Sequence, residues 1–168
     1  HINHTDFEPY YPSYLAQASF MSIPIKKANK TIGVIIFQMP LGEINEVMTH
    51  HKKWQEVGLG ASGETYLVGE DQKLRTESRF YIEDKQGFVE ALNKAGMDKE
   101  LALIEASGTS VANIDVDSLS AEKALNGETG FETVVDYRGV RVLSAYSHLE
   151  IGSHTFAILS EIDEEEAF

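Results

Sequence analysis

The chain has 168 residues, enough for one domain with a sizeable core or for one module and part of another. Its net charge of −13, from 27 acidic and 14 basic residues, argues against nucleic-acid binding and against docking on anionic lipid through a basic patch. With no cysteine there is neither a disulfide framework nor a thiolate metal site, and no apolar run reaches the roughly 18 residues of a membrane span.

The opening His1-Ile2-Asn3-His4 has no signal-peptide pattern. With the acidic close Glu164–Phe168 it reads as a segment of something longer, whose flanks would hold any membrane anchor. Residues 6–14 (DFEPYYPSY) are aromatic, and Pro9 and Pro12 favour an extended or turning path. Ala18–Ile25 is a strand pattern in which Pro24 predicts an edge or a bulge. After a polar turn over Lys26–Lys30, Thr31–Met39 (TIGVIIFQM) is the strongest candidate for a buried strand. Two or three such strands are marginal alone, so this unit must pack on something else.

Pro40–Val57 reads as a connecting helix. Leu41, Ile44, Val47, Met48 and His51 share one face, Gly58 stops it, and Trp54 packs where it meets the next element. Gly58–Phe80 (GLGASGETYLVGEDQKLRTESRF) then reads as a glycine-broken loop and a β-hairpin. Glu64–Val68 and Lys73–Phe80 are its strands, and Gly69–Gln72 is the turn. An insertion follows from Tyr81 to Asn126. A helix capped by Asp84 runs through Ala95, and a second spans Asp98–Ala106. Val111–Ile114 is a short strand inside the loop Ser107–Asp117, and Ser120 caps a last turn or two before Gly127. Gly130–Asp136, Val140–His148 and Thr155–Ile162 complete three successive antiparallel strands. The order β-β-(helices)-β-β-β predicts an α+β module with a central five-stranded antiparallel sheet, helices on one face, in a PAS-like arrangement.

GETYLVGEDQKLRTESRF resembles the opening hairpin of the extracytoplasmic Cache sensor modules of bacterial chemoreceptors and transmembrane cyclases. The resemblance covers nearly the whole chain. Asp6-Phe7, Tyr10, Pro12-Ser13, Ala18, Phe20, Pro24-Ile25 and Ile32–Val34 resemble the closing strands of a membrane-distal Cache module. Pro40, Ile44-Asn45 and Met48 match the joining helix. Tyr137, Gly139, Val142–Tyr146 and Glu161–Asp163 match the later strands and exit of a membrane-proximal module. The resemblance therefore implies three parts: residues 1–40 from a partial distal module, 41–57 as connecting helix, and 58–168 as a PAS-like proximal module. It implies a periplasmic sensory region of a methyl-accepting chemotaxis protein, homodimeric in the full receptor and joined to the membrane through helices outside this segment. The long N-terminal helix and first part of the distal module have no counterpart here. The Tyr-Arg-Trp-Tyr-Asp pattern of amino-acid-sensing distal modules cannot be placed, so that ligand class is not supported. A ligand-free relay and dimerisation module, or the same sensor on a histidine kinase or nucleotide cyclase, are the alternatives.

On a PAS-like sheet, alternate strand residues face a pocket beneath the helices. That puts Tyr66, Arg75, Ser78, Arg79, Ser144 and Tyr146 forward as ligand-binding residues. The two guanidinium forks favour an anionic group in the solute. Spacing of four places Arg75 and Arg79 on one strand face, so both or neither should line the pocket. The competing reading pairs both with local acids such as Glu77, Glu83 or Asp84. No nucleophile motif and no fixed carboxylate pair points to catalysis, so no enzyme is expected. His50-His51 are adjacent and about 100° apart on a helix, a poor chelating geometry. Neither a metal nor a cofactor is expected.

Overall fold

In the computed structural model, which describes residues 2–14, 16–39 and 41–168, the strands form two antiparallel sheets. The first is ordered β1 (Asn3–Tyr10), β2 (Ala16–Lys27), β3 (Lys30–Met39). Ala28 and Asn29, both at positive φ, make the two-residue turn between β2 and β3, matching the twist of a hairpin. β2 runs straight through Pro24. Its pairing with β1 ends at Ser22, so Pro24 sits where the strand keeps β3 as its neighbour and no N–H is needed toward β1.

β3, expected to be buried, is the most exposed strand of the sheet. Ile32 and Ile36 are each 63% exposed and Phe37 61%. Its apolar run reflects two sheet faces that no described residue covers, and a run without alternation cannot tell a covered strand from one awaiting a cover.

The connecting helix is shorter than predicted. α1 spans Leu41–Met48, and Pro40 lies outside the described residues. His50, His51 and Lys52 take positive φ, which ends the α-helix nearly ten residues early and leaves a single tight turn. Trp54 beyond it is buried, as expected.

The second sheet has four strands rather than five. Its order is β4 (Glu64–Val68), β7 (His154–Asp163), β6 (Arg141–Ile151), β5 (Gly130–Val135). The missing strand is Lys73–Phe80. Only Leu74 bridges back to Val68, with two backbone bonds, Gly69 N–H to Lys73 O at 2.9 Å and Arg75 N–H to Leu67 O at 2.7 Å. The Thr76 hydroxyl then takes the Leu67 N–H at 3.2 Å in place of a ladder carbonyl. Two residues on, Ser78 caps α2 (Arg79–Glu83) by accepting the Phe80 N–H. Side-chain capping wins over strand pairing.

Three more helices cover one face of this sheet: α3 (Lys85–Lys94), α4 (Asp98–Ser107) and α5 (Leu119–Leu125). Asp84 caps α3 as predicted, its carboxylate accepting the Gly87 N–H at 2.9 Å. α5 is capped by Ser118, not Ser120, which lies buried inside the helix. Val111–Ile114 turns rather than extending as a strand. The core between sheet and helices holds Tyr66, Val68, Leu74, Ile104, Ile114 and Leu159, among others. A short α6 (Glu164–Ala167) follows β7. No helix among the described residues is long and apolar enough to cross a membrane.

Candidate functional site

Alternation along β4 turns Glu64, Tyr66 and Val68 toward the helices, with Glu161, Leu159 and Ala157 of β7 directly opposite them. Ser144 and Tyr146 of β6 continue the two rows beside Glu161 and Leu159. Glu64 and Glu161, each 2% exposed, are thus cross-strand partners inside the protein.

Hydroxyls serve these acids in place of cations. Ser78 Oγ lies 2.7 Å from the Tyr137 oxygen, and the Tyr137 hydroxyl donates to Glu64 Oε1 at 2.6 Å. The Arg79 backbone N–H donates to Glu64 Oε2 at 3.1 Å. The Tyr66 hydroxyl donates to Glu161 Oε2 at 2.7 Å, and the Tyr66 and Tyr137 rings meet edge to face at 5.6 Å. Among the described residues, neither Glu161 Oε1 nor the neighbouring Ser144 Oγ has a hydrogen-bond partner. Burial pushes both carboxyls up to about 7, opposed by the tyrosine donors and by the charge of Arg138. Burial, then the adjacent carboxylates, likewise hold both tyrosine hydroxyls well above their ordinary value.

The two arginines part company. The Arg75 guanidinium grips Asp6 of β1, with Nη2 2.6 Å and Nε 3.0 Å from its carboxylate oxygens, and reaches Asp71 at 2.8 Å. It lies against Gly69, where any Cβ would overlap it. The carboxylate holds the guanidinium's pKa up against desolvation, and the arginine holds the Asp6 carboxyl down. Arg79 instead donates to Gly63 O at 2.5 Å and Gly60 O at 3.1 Å, pairs with Glu83 at 3.1 Å and stacks 4.7 Å over Trp54. Helix α2 breaks the strand spacing that would have aligned them. Both pair with an acid four residues away, Arg79 with Glu83 and Arg75 with Asp71 rather than the acids expected, and Arg75 adds Asp6 at a distance no local reading reaches.

Of the six candidate residues, Tyr66, Ser78 and Ser144 belong to the hydroxyl–carboxyl cluster, and Tyr146 lies one row away, with Lys123 Nζ 6.0 Å from its ring. Sequence reasoning missed Glu64, Glu161 and Tyr137. The signal was an acid in the same two-residue phase as Tyr66 and Val68, a polar intruder on the inward face.

Side chains fill the space under the helices. Several open cavities lie around it. One of about 290 Å³ lies between α2, α3 and Arg138, with Phe80 and Phe88 in its wall. One of about 310 Å³ lies where β1 and α1 meet the second sheet, between Phe7, Met48, Leu67 and Phe156. A wide cleft of about 780 Å³ separates the Tyr11–Ser13 turn from α4, lined by Gln17, Glu77, Thr109 and Asn113. Arg79 alone of the six lines a described cavity, a hollow beside Trp54. Among the described residues no three His, Asp or Glu side chains gather to hold a metal.

No protein-family model matches the chain, and no curated protein does. Solved structures do. The periplasmic sensory domain of the Campylobacter jejuni chemoreceptor Tlp1 superposes with a TM-score of 0.60 at 12% identity, over 98% of this chain and 50% of that one. The fold is that of a chemoreceptor sensor domain. The ligand-binding domain of the Pseudomonas aeruginosa chemoreceptor PctC, in complex with GABA, gives 0.54 at 15% identity, over 96% of this chain and 55% of that one. That of the Pseudomonas fluorescens chemoreceptor CtaA, in complex with L-leucine, gives 0.52 at 14% identity, over 99% and 55%. The chain spans about half the length of the sensor domains it matches.

Proposed function

We propose that the chain is part of the periplasmic sensory region of a transmembrane chemotaxis receptor, which responds to a small solute and passes a conformational change across the membrane. The observation that carries this reading is the match to chemoreceptor sensor domains across both sheets, over 96% or more of the chain. Residues 1–40 then close a distal unit, 41–57 connect, and 58–168 form the proximal module, homodimeric in the full receptor. The mechanism is a population shift, the solute binding one arrangement better than another, with no chemistry on the solute. The same region would serve a histidine kinase or nucleotide cyclase equally well.

A second reading has its own support: this half acts as a relay without its own ligand. Tyr66 and Tyr137 occupy the interior that a solute would need, and Arg75 and Arg79 are already committed to acids and carbonyls. Binding at Tyr66, Ser78, Ser144 and Tyr146 would require those rings to part.

Thermal unfolding against amino acids, GABA, carboxylates and amines separates the two. A solute at a hundredfold excess over its dissociation constant adds about 2.7 kcal/mol, at roughly 2–4 °C per kcal/mol for a domain this size. A reproducible rise, lost in Ser144→Val, makes this module the sensor. A flat screen on folded protein leaves it the relay.

A further inference from the structure

We propose that Glu64 and Glu161 form a proton-binding site, a carboxylate beside a carboxylic acid, and that emptying it loosens the grip on the C-terminal helix. The inference goes beyond solute sensing and does not depend on it.

The donors assign the proton. Glu64 accepts two hydrogen bonds, from the Tyr137 hydroxyl and the Arg79 N–H, one on each oxygen, as an ionised carboxylate requires. Glu161 accepts one, from Tyr66, on Oε2. Its Oε1 is buried and accepts nothing, while Ser144, its cross-strand neighbour, has a buried Oγ with nothing to accept. Glu161 thus lacks the second donor that Glu64 has, which leaves Glu161 the better seat for the shared proton. Burial of two adjacent carboxyls raises the affinity for that proton, which belongs to the pair as a unit.

The surrounding charges do not replace it. Arg138 contributes a favourable field, yet its guanidinium is bonded to Asp136 at 2.6 Å and Asp163 at 2.6 Å. Lys123 of α5 is held by Glu132 of β5 at 2.8 Å. Arg79 turns its guanidinium to Gly60, Gly63 and Glu83. Asp136 adds a second negative charge near Glu161. Losing the proton therefore sets two like charges opposite each other on paired strands, with no uncommitted cation beside them among the described residues.

What yields lies next door. Glu64 follows Gly63, the end of the loop Gly58–Gly63. Glu161 is two residues from Asp163 and five from Glu166 of α6. The Glu166 carboxylate accepts the Ala61 N–H at 2.7 Å, the Ser62 N–H at 2.8 Å and the Ser62 hydroxyl at 2.5 Å, and Ser62 Oγ accepts the Asp163 N–H at 3.0 Å. Separation of β4 from β7 at Glu64/Glu161 pulls the two sides of this latch apart.

Side-chain carboxyl carbons followed by NMR against pH, assigned with Glu64→Gln and Glu161→Gln, test the site. The expected result is one carboxyl of the pair still protonated far above the ordinary glutamate value, with the Ala61 and Ser62 amide resonances moving at the same midpoint. Glu161→Gln removes that midpoint from both amides while His4 continues to titrate. Two carboxyls titrating in the ordinary range overturn the site. A high midpoint that the amides ignore overturns its link to the helix. Should the Gln variants not fold, the infrared band of a protonated buried carboxyl in the unmodified chain decides the first point, and its absence near neutral pH overturns the proposal.

Discussion

The two sheets share antiparallel geometry and similar apolar content, yet they stand in opposite relation to water. In the four-stranded sheet the middle of one face is closed by helices, so thoroughly that two glutamates and two tyrosine hydroxyls are shut in with the apolar core. In the three-stranded sheet Ile32, Ile36 and Phe37 stand in the open. The contrast shows where stability resides. One region carries its own core. The other is anchored at its β1 side, through Asp6 on Arg75 and His4 against His154 and Phe156, and contributes surface.

The largest effect should come from cutting the anchor. Arg75→Ala strips a buried cation from Asp6, and breaking such a pair costs about 3 kcal/mol, or roughly 10 °C in the unfolding midpoint. Calorimetry checks this, and a midpoint within a degree or two of the parent would mean that the anchor contributes little. Tyr66→Phe removes the one donor to Glu161 Oε2 inside the closed core, for a loss of about 1–3 kcal/mol by denaturant titration.

The third prediction concerns pH. The folded values of Glu64 and Glu161 are raised from 4.5 to about 7, so between those values the folded chain holds more protons than the unfolded one. Their stabilisation is complete below 4.5 and lost as pH rises through 7. His4, lowered by burial and by His154, has the opposite sign and gains as pH rises toward its ordinary value. The comparison is therefore parent against Glu161→Gln, from about pH 5 to about pH 8. The parent's advantage should shrink with rising pH, and an advantage that grows would contradict the buried pair.

Gly60→Ala acts more locally. Gly60 has a φ of +57°, and its added methyl would overlap Glu166 Oε1, so the latch should open at a cost of about 1–2 kcal/mol. Faster hydrogen exchange at Ala61 and Ser62, with the core amides unchanged, is the expected signature. Smallest of all is Phe37→Ser on the open sheet, expected within about 0.5 kcal/mol of the parent. A large loss there would mean that β3 is covered in solution.

Much of this architecture was legible in the sequence. β-rich runs between turn residues gave β4 and β6, Gly and Asp punctuation gave the turn at Gly69–Gln72, and Asp84 gave the start of α3. The illegible parts share a physical cause, competition settled by groups far apart in the chain. Nothing near Thr76 and Ser78 announces that their hydroxyls will end a strand and start a helix. Nothing near Arg75 points 69 residues back to Asp6. In the candidate site, Tyr66, Ser78 and Ser144 were visible as polar residues in inward phase. Glu64 and Glu161 were lost among 27 acidic residues, because only the register between β4 and β7 sets them face to face.

The loop Gly58–Gly63 is held from both sides, by Arg79 on its carbonyls and by Glu166 on its amides, while Arg79 rests on Trp54 just before it. The way into the four-stranded module and the way out of it are thereby fastened to the same six residues. Trp54 is joined to α6 through Arg79 and this loop, by contacts that run beside the Tyr66–Leu159 core rather than through it.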